Sequence, residues 1–230
     1  MLIDSGFGLR QMVKRLEKSG VPPARLDAIF ITHEHGDHTG CVQALSSQYK
    51  IPVWMSAGTA SAMGFVNDSG LLRTAADGDL IAVKGLQLNP FTVPHDAREP
   101  LQLTCTDGSA KLGVLTDLGH ATAHVLEHLQ GCHALVLESN HDADMLAVSV
   151  YPAFLKLRIG GQYGHLANEQ ASIIAAAVLH NGLKHVVAAH LSQLNNLPEL
   201  VKCCLAQALS CKADDILIAT QDDGCQWLSA

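Results

Sequence analysis

The chain has 230 residues, 48% of them hydrophobic and 16% charged, with a formal net charge of −7 when histidine is neutral. That balance excludes a disordered chain, and it excludes a broad basic field able to grip nucleic acid without regard to sequence. The length suits one domain, residues 1–230, with room for a substantial core.

Seven cysteines (Cys41, Cys105, Cys132, Cys203, Cys204, Cys211 and Cys225) are odd in number and include no CxxC pair, so they read as thiols of a reducing compartment. No secretion signal is evident, and no apolar run approaches a membrane span. A cytoplasmic location is expected, with no membrane and no obligate protein partner.

In chain order, Leu9, Met12, Val13 and Leu16 recur at helical spacing, with Gly20 as a stop. LDAIFIT reads as a buried strand that feeds the segment THEHGDHTG, and TGCVQALSSQ as a helix after it. PVWMS is a short strand and SAGTASAMGFV a helix. DLIAVKG, LQLNPFTV, LQLTCTD and KLGVLTD read as strands, the last two joined as a hairpin through Asp107-Gly108. Helix ATAHVLEHLQG and strand ALVLES follow, and YPAFLKLRIG reads as helix. EQASIIAAAVLHNG is the strongest helical segment, with Asn168 as its cap and Gly182 as its stop. Strand HVVAA, helix PELVKCCLAQALS, strand DILIAT and a last strand GCQWLS complete the chain. This order fits two mixed sheets covered by helices, an α/β fold.

Residues 32–40 place His33, Glu34, His35, Asp37 and His38 within six positions at the end of an apolar strand. Other candidate donors also follow strands: Asp4 after LI, His95 after FTVP, Asp117 after GVLT, Glu138 after ALVL with Asn140 and His141 beyond, and His190 after VVAA. Strand ends can bring distant sequence to one edge of a core while loops leave an opening. Imidazole nitrogen and carboxylate oxygen suit zinc, manganese or iron. More than four such candidates point to two metals, which can clamp a displacement and acidify a water. Lone histidines such as His124, His128 and His133 read as surface or structural.

HEHGDH resembles the HxHxDH signature of the metallo-beta-lactamase superfamily, and LIDSG and TDLG resemble its first and bridging motifs. Within it, LIDSGFGLRQMVKRLEKSG, ITHEHGDHTG, VPHDA, GVLTDLGH, LVLESNHD, GHLANEQA and AAHLSQLNN resemble the YycJ/WalJ-type group, related to ribonuclease Z, ribonuclease J and the phosphodiesterase PhnP. The resemblance implies an αββα sandwich of two mixed sheets flanked by helices. It also implies two divalent metal ions, Zn2+ or Mn2+, and hydrolysis of DNA from the 5′ end by a metal-activated water. Members usually carry two further strands before LIDSG, so the first sheet is expected to lack them and to show an open edge.

By the same resemblance His33, His35 and His95 hold one metal. Asp37, His38 and a later histidine hold the second, with Asp117 bridging. His190 fits as that later ligand, leaving His165 as the acid for the departing oxygen, while Asp37 also receives the nucleophile's hydrogen bond. An alignment to ribonuclease Z instead makes the His190 element a proton donor and seeks the last ligand near Gln221. Asp4 and Glu138 are expected to orient the loops, and Asn140 and His141 to line the mouth. Arg98, Lys111, Lys156 and Arg158 are candidates for a local cationic approach. A small-molecule hydrolase acting on a phosphodiester, thioester or lactam, or a regulatory protein with a vestigial metal site, are the alternatives.

Overall fold

A computed structural model describes residues 1–67 and 70–229. Two compact units divide it: Met1–Thr92 with Ala97–Gln102, and Val93–Asp96 with Leu103 onward. The elements up to Thr92 are β1 (Leu2–Ile3), α1 (Leu9–Lys18), β2 (Ile29–Phe30), α2 (Gly36–Thr39), α3 (Val42–Tyr49), β3 (Val53–Met55), α4 (Ala57–Met63), β4 (Leu72–Thr74), β5 (Ile81–Val83) and β6 (Leu86–Thr92). There follow β7 (Leu101–Thr106), β8 (Lys111–Leu115), α5 (Ala123–Leu129), β9 (Ala134–Glu138), α6 (Ala143–Val148), α7 (Ala153–Ile159), α8 (Asn168–Ala177), β10 (His185–Ala189), α9 (Pro198–Leu209) and β11 (Leu217–Ile218).

Among the described residues the strands form a four-stranded sheet, β1-β2-β3-β4, and a seven-stranded sheet, β11-β10-β9-β8-β7-β6-β5. The four-stranded ladders run parallel. The other sheet combines antiparallel β5-β6 and β7-β8 hairpins with parallel β8-β9, β9-β10 and β10-β11 pairs. Parallel strands buried on both faces read as continuous apolar runs, which is why AIFI, ALVL and HVVAA showed no alternation. Helices flank the sheets, as the α/β reading expected.

In the first unit Met12 of α1 and Val42 and Leu45 of α3 join Ile29, Ile31, Val53 and Met55 in one buried cluster. Met12 and Leu16 lie one turn apart and face inward together. In the second unit α8 buries Ala171, Ile174 and Ala175, and α9 buries Val201, Leu205 and Ala206.

Several elements differ from the sequence reading. β4 falls on LRT, where Arg73 and Thr74 are exposed and gave no apolar signal. α6 is a six-residue helix whose N-cap, Asp142, accepts from the Met145 amide at 2.9 Å; the S/T/D-type cap was readable, but the helix is too short to show a period. α8 begins at Asn168 with Ala167 as the cap residue. The Asn168 amide is engaged elsewhere, in a reciprocal pair with Asn196 at 2.9 Å each way. The same helix ends at Ala177, ahead of Gly182, with Val178 as its C-cap. GCQWLS forms no strand; only a bridge between Thr220 and Gly224 closes a turn there.

One close approach sets the first unit's working edge. A Cβ on Gly6 would overlap the Asp37 carbonyl, and one on Gly40 would overlap the Gly6 carbonyl. The turn after β1 therefore lies directly against α2, backbone on backbone, with the Ser5 amide bonded to the His38 carbonyl at 2.7 Å. Gly6→Ala is expected to destabilise the chain by about 2 kcal/mol or more, the cost of overpacking a site that cannot yield. Gly85, whose Cβ position is open, serves as the control. Urea unfolding of both variants checks this, and equal stabilities would refute the contact.

Candidate metal centre

The first unit's donors sit where β2 ends. Asp4, one residue past β1, has φ of 58°, a left-handed conformation that Asp tolerates better than most residues. That backbone directs its carboxylate to the next strand. Asp4 Oδ1 accepts from the Thr32 amide at 2.8 Å, and Oδ2 accepts from the Thr32 hydroxyl at 2.9 Å. Oδ2 also lies 2.8 Å from His38 Nδ1. The Thr32 hydroxyl in turn stands 3.0 Å from His33 Nδ1. A carboxylate behind an imidazole fixes its tautomer and leaves Nε2 as a basic donor. Asp4 does this directly for His38 and lies behind Thr32 at His33.

His33 and His38 are buried, and their ring centroids are 4.1 Å apart. His33 Nε2 and His35 Nδ1 face each other at 3.0 Å. Two ring nitrogens so placed either share a proton or lie against a common cation. Asp37 is in the first turn of α2 with its side chain 69% exposed, and Oδ2 is 3.7 Å from His38 Nε2. Glu34 Oε1 accepts from the Arg98 amide at 2.7 Å.

The second unit also carries candidate donors. His95 is buried, and its Nδ1 donates to the Gly164 carbonyl at 3.2 Å, which leaves Nε2 as the acceptor nitrogen. Asp117 follows β8 with φ of 54°, and His190 follows β10 with φ of 59°. Asp117 Oδ1 is 3.5 Å from Nδ1 of His165 and 3.5 Å from Nδ1 of His190.

Glu138, the last residue of β9, is wholly buried behind them. Its Oε1 is 2.8 Å from Nδ1 of both His165 and His190. Its Oε2 accepts from the amides of Leu118 at 3.2 Å and Leu166 at 3.1 Å. Burial pushes the Glu138 carboxyl up, but the hydrogen bonds from His165 and His190 outweigh it and hold the group below the carboxylate range. Burial likewise pulls His165 down, and the bond to Glu138 overrides it so that His165 is held above the usual imidazole value. Asp117, Glu138, His165 and His190 bring four donor atoms within 4.8 Å of one another.

The remaining candidates have these surroundings. Asn140 Nδ2 donates to the His190 carbonyl at 3.0 Å and pins the left-handed residue. His141 is buried at 3% exposure, where desolvation pulls its pKa down. Arg158 pairs with Asp96 at 2.6 Å, Lys111 binds the His128 and Gln130 carbonyls, and Lys156 binds the Ala147 carbonyl. Sequence reasoning missed Thr32, whose place between strand and cluster was visible but whose hydroxyl carries no signal of its own.

The donor sets fit divalent cations. They are imidazole nitrogens and carboxylate oxygens, most are buried, and the rings of His33, His38, His95, His165 and His190 are oriented by hydrogen bonds at Nδ1. Glu138→Leu is expected to cost about 3 kcal/mol of stability, because it strands two imidazoles and two amides in the interior. Glu138→Gln, which keeps one acceptor oxygen, should cost less. Chemical denaturation of the metal-free chains checks the order, and a neutral Glu138→Leu would remove Glu138 from its organising role.

A family model for the beta-lactamase superfamily domain matches residues 1–191. The chain is 31% identical over 214 residues to exodeoxyribonuclease YycJ of Bacillus anthracis, covering 91% of this chain and 80% of that protein. The metallo-beta-lactamase fold protein YhfI of Bacillus subtilis superposes with a TM-score of 0.74 at 16% identity, over 96% of this chain and 84% of that one. Zn2+-bound PqqB of Methylobacterium extorquens does so with a TM-score of 0.72 at 17% identity, over 98% and 82%. The chain therefore belongs to the beta-lactamase superfamily, has the α/β sandwich of the metallo-beta-lactamase fold, and with its clustered His, Asp and Glu donors is a metal-dependent hydrolase.

Proposed function

We propose that the chain hydrolyses a phosphodiester at a centre of two divalent cations, Zn2+ or Mn2+, and that its substrate is a DNA strand taken from the 5′ end. The observation that carries the DNA reading is the 31% identity to an exodeoxyribonuclease across 91% of the chain. His33, His35 and His95 would hold one cation, and Asp37, His38 and His190 the other, with Asp117 shared between them. Bound there, the cations supply Lewis acidity and lower the pKa of water.

The chain's own residues do the rest. Asp37, exposed at the start of α2, accepts a hydrogen bond from the attacking water and so orients it toward phosphorus. His165, held through Nδ1 by Glu138, has Nε2 left to deliver a proton to the departing oxygen. Asp4 and Glu138 keep the imidazoles in the donor tautomer without touching substrate.

A second reading, hydrolysis of a small ester, is favoured by the net charge of −7. It is also favoured by the prior engagement of Arg158, Lys111 and Lys156, which leaves those three cations committed to protein acceptors. A long polyanion would gain little from such a surface.

Elemental analysis of active protein loaded with zinc or manganese is expected to give two metals per chain. Asp37→Ala should lower turnover by roughly a thousandfold, within the range for loss of a general base, while circular dichroism stays native. Turnover close to wild type, or one metal in fully active protein, would remove Asp37 and the paired centre from the reading.

The substrate is tested with single-stranded DNA labelled separately at each end, matched RNA, and bis(p-nitrophenyl) phosphate, with and without chelator. Stepwise loss from the DNA 5′ end that stops on chelation is the expected result. Cleavage of the small ester alone would replace the DNA reading with the second one.

A further inference from the structure

Beside His190 the second unit holds a cleft of about 470 Å³, within the usual range for small-ligand sites. It opens where the parallel strands β10 and β11 end. After β10 the chain turns away through residues 190–197 into α9, and after β11 it closes the turn at Thr220 and Gly224. Open α/β sheets commonly take ligands outside the carboxyl ends of their parallel strands.

The chemistry of the walls is selective. Leu191, Leu197, Pro198, Ile218 and Ala219 give apolar surface, and Ser192, Gln193 and Thr220 add hydroxyl and amide groups. Neither lysine nor arginine lines it. Asp222 stands on one wall, and Glu199 lies in the first turn of α9 next to Pro198. With Asp222 on its wall and no lysine or arginine to offset it, the cleft favours an uncharged polar group over an anion.

The wall carrying the loop is preformed. Asn196 is buried at 4% exposure, pairs both ways with Asn168, and donates to the Ser139 carbonyl at 2.8 Å. Its Oδ1 also receives the Leu197 amide at 2.9 Å. The loop after β10 is thus tied to α8 and to the end of β9, so little ordering cost remains for a ligand.

We infer that this cleft receives the uncharged nucleoside part of the substrate, the base lying against Leu197 and Ile218, while the adjoining phosphate is held on the other side of His190. This rests on the phosphodiester reading above. It assigns the cleft a specificity role that the metal ligands alone cannot supply, since the cations they would hold engage only the phosphate.

The test uses the zinc-loaded chain and the variant Leu197→Trp, which fills the cleft from a half-exposed position. Saturation-transfer NMR with thymidine and deoxyadenosine, which carry no phosphate, reads the cleft without turnover. Binding by wild type and its loss in Leu197→Trp is expected, with zinc content and circular dichroism unchanged. In parallel, kcat/KM is measured for thymidine 5′-(p-nitrophenyl phosphate) and for methyl p-nitrophenyl phosphate. Their ratio should fall about tenfold in the variant, whereas general damage would lower both and leave the ratio alone. Nucleosides that fail to bind wild type, or an unchanged ratio, overturn the inference even if both esters are cleaved. If wild type cleaves neither ester but binds nucleosides in a Leu197-dependent way, the cleft stands and the hydrolase substrate reading falls.

Discussion

A single buried carboxylate organises the second unit. Glu138 has no solvent contact, and burying a charge costs several kcal/mol unless it is fully partnered. Here two imidazoles and two amides converge on its two oxygens. The donors come from the residues after β8, before α8 and after β10. Three connections that are distant in sequence are thus held to the last residue of β9, and each brings a candidate ligand or acid with it.

The first unit repeats the device with different residues. Asp4 stands behind Thr32 and His38 as Glu138 stands behind His165 and His190. In both, the carboxylate occupies Nδ1 and leaves the distal nitrogen for chemistry. The consequence is a division of labour that charge counting alone would not show. Asp4 and Glu138 are engaged by protein donors that orient the imidazoles, while Asp37 and Asp117 are the carboxylates proposed as ligands. His165 and His190 make equivalent bonds to Glu138, so their separation into acid and ligand rests on what each faces beyond the carboxylate.

Much of this was legible in the sequence, and the limits have physical causes. The HEHGDH cluster announced itself because five ionisable side chains in six positions have few structural explanations. Strand-end donors such as Asp117 and His190 were readable because apolar runs stop just before them. Thr32 was not, since a hydroxyl that bridges Asp4 to His33 has the same letter as one that merely completes a strand. Asn168 reads as the cap of α8 because Asn is a good capping residue in isolation, while its amide is committed to Asn196, 28 residues on in the chain. β4 escaped because an edge strand with Arg73 and Thr74 outward carries little apolar pattern. Glu138 could be expected to orient a loop, but its four partners come from separate connections and only the fold assembles them.

Asp4, Asp117 and His190 share the left-handed backbone, and that has a bearing on how such a centre can change over time. A side chain at these places must satisfy two demands at once, a donor atom and a tolerance for positive φ. Asparagine meets the second and removes only the charge, so Asp117→Asn separates electrostatics from backbone geometry more cleanly than alanine does. Valine or isoleucine would fail both. The accessible neighbours of this sequence are therefore few at these three positions, and drift toward new chemistry has freer passage through the loop walls, where the backbone is ordinary and the side chains answer only to the ligand.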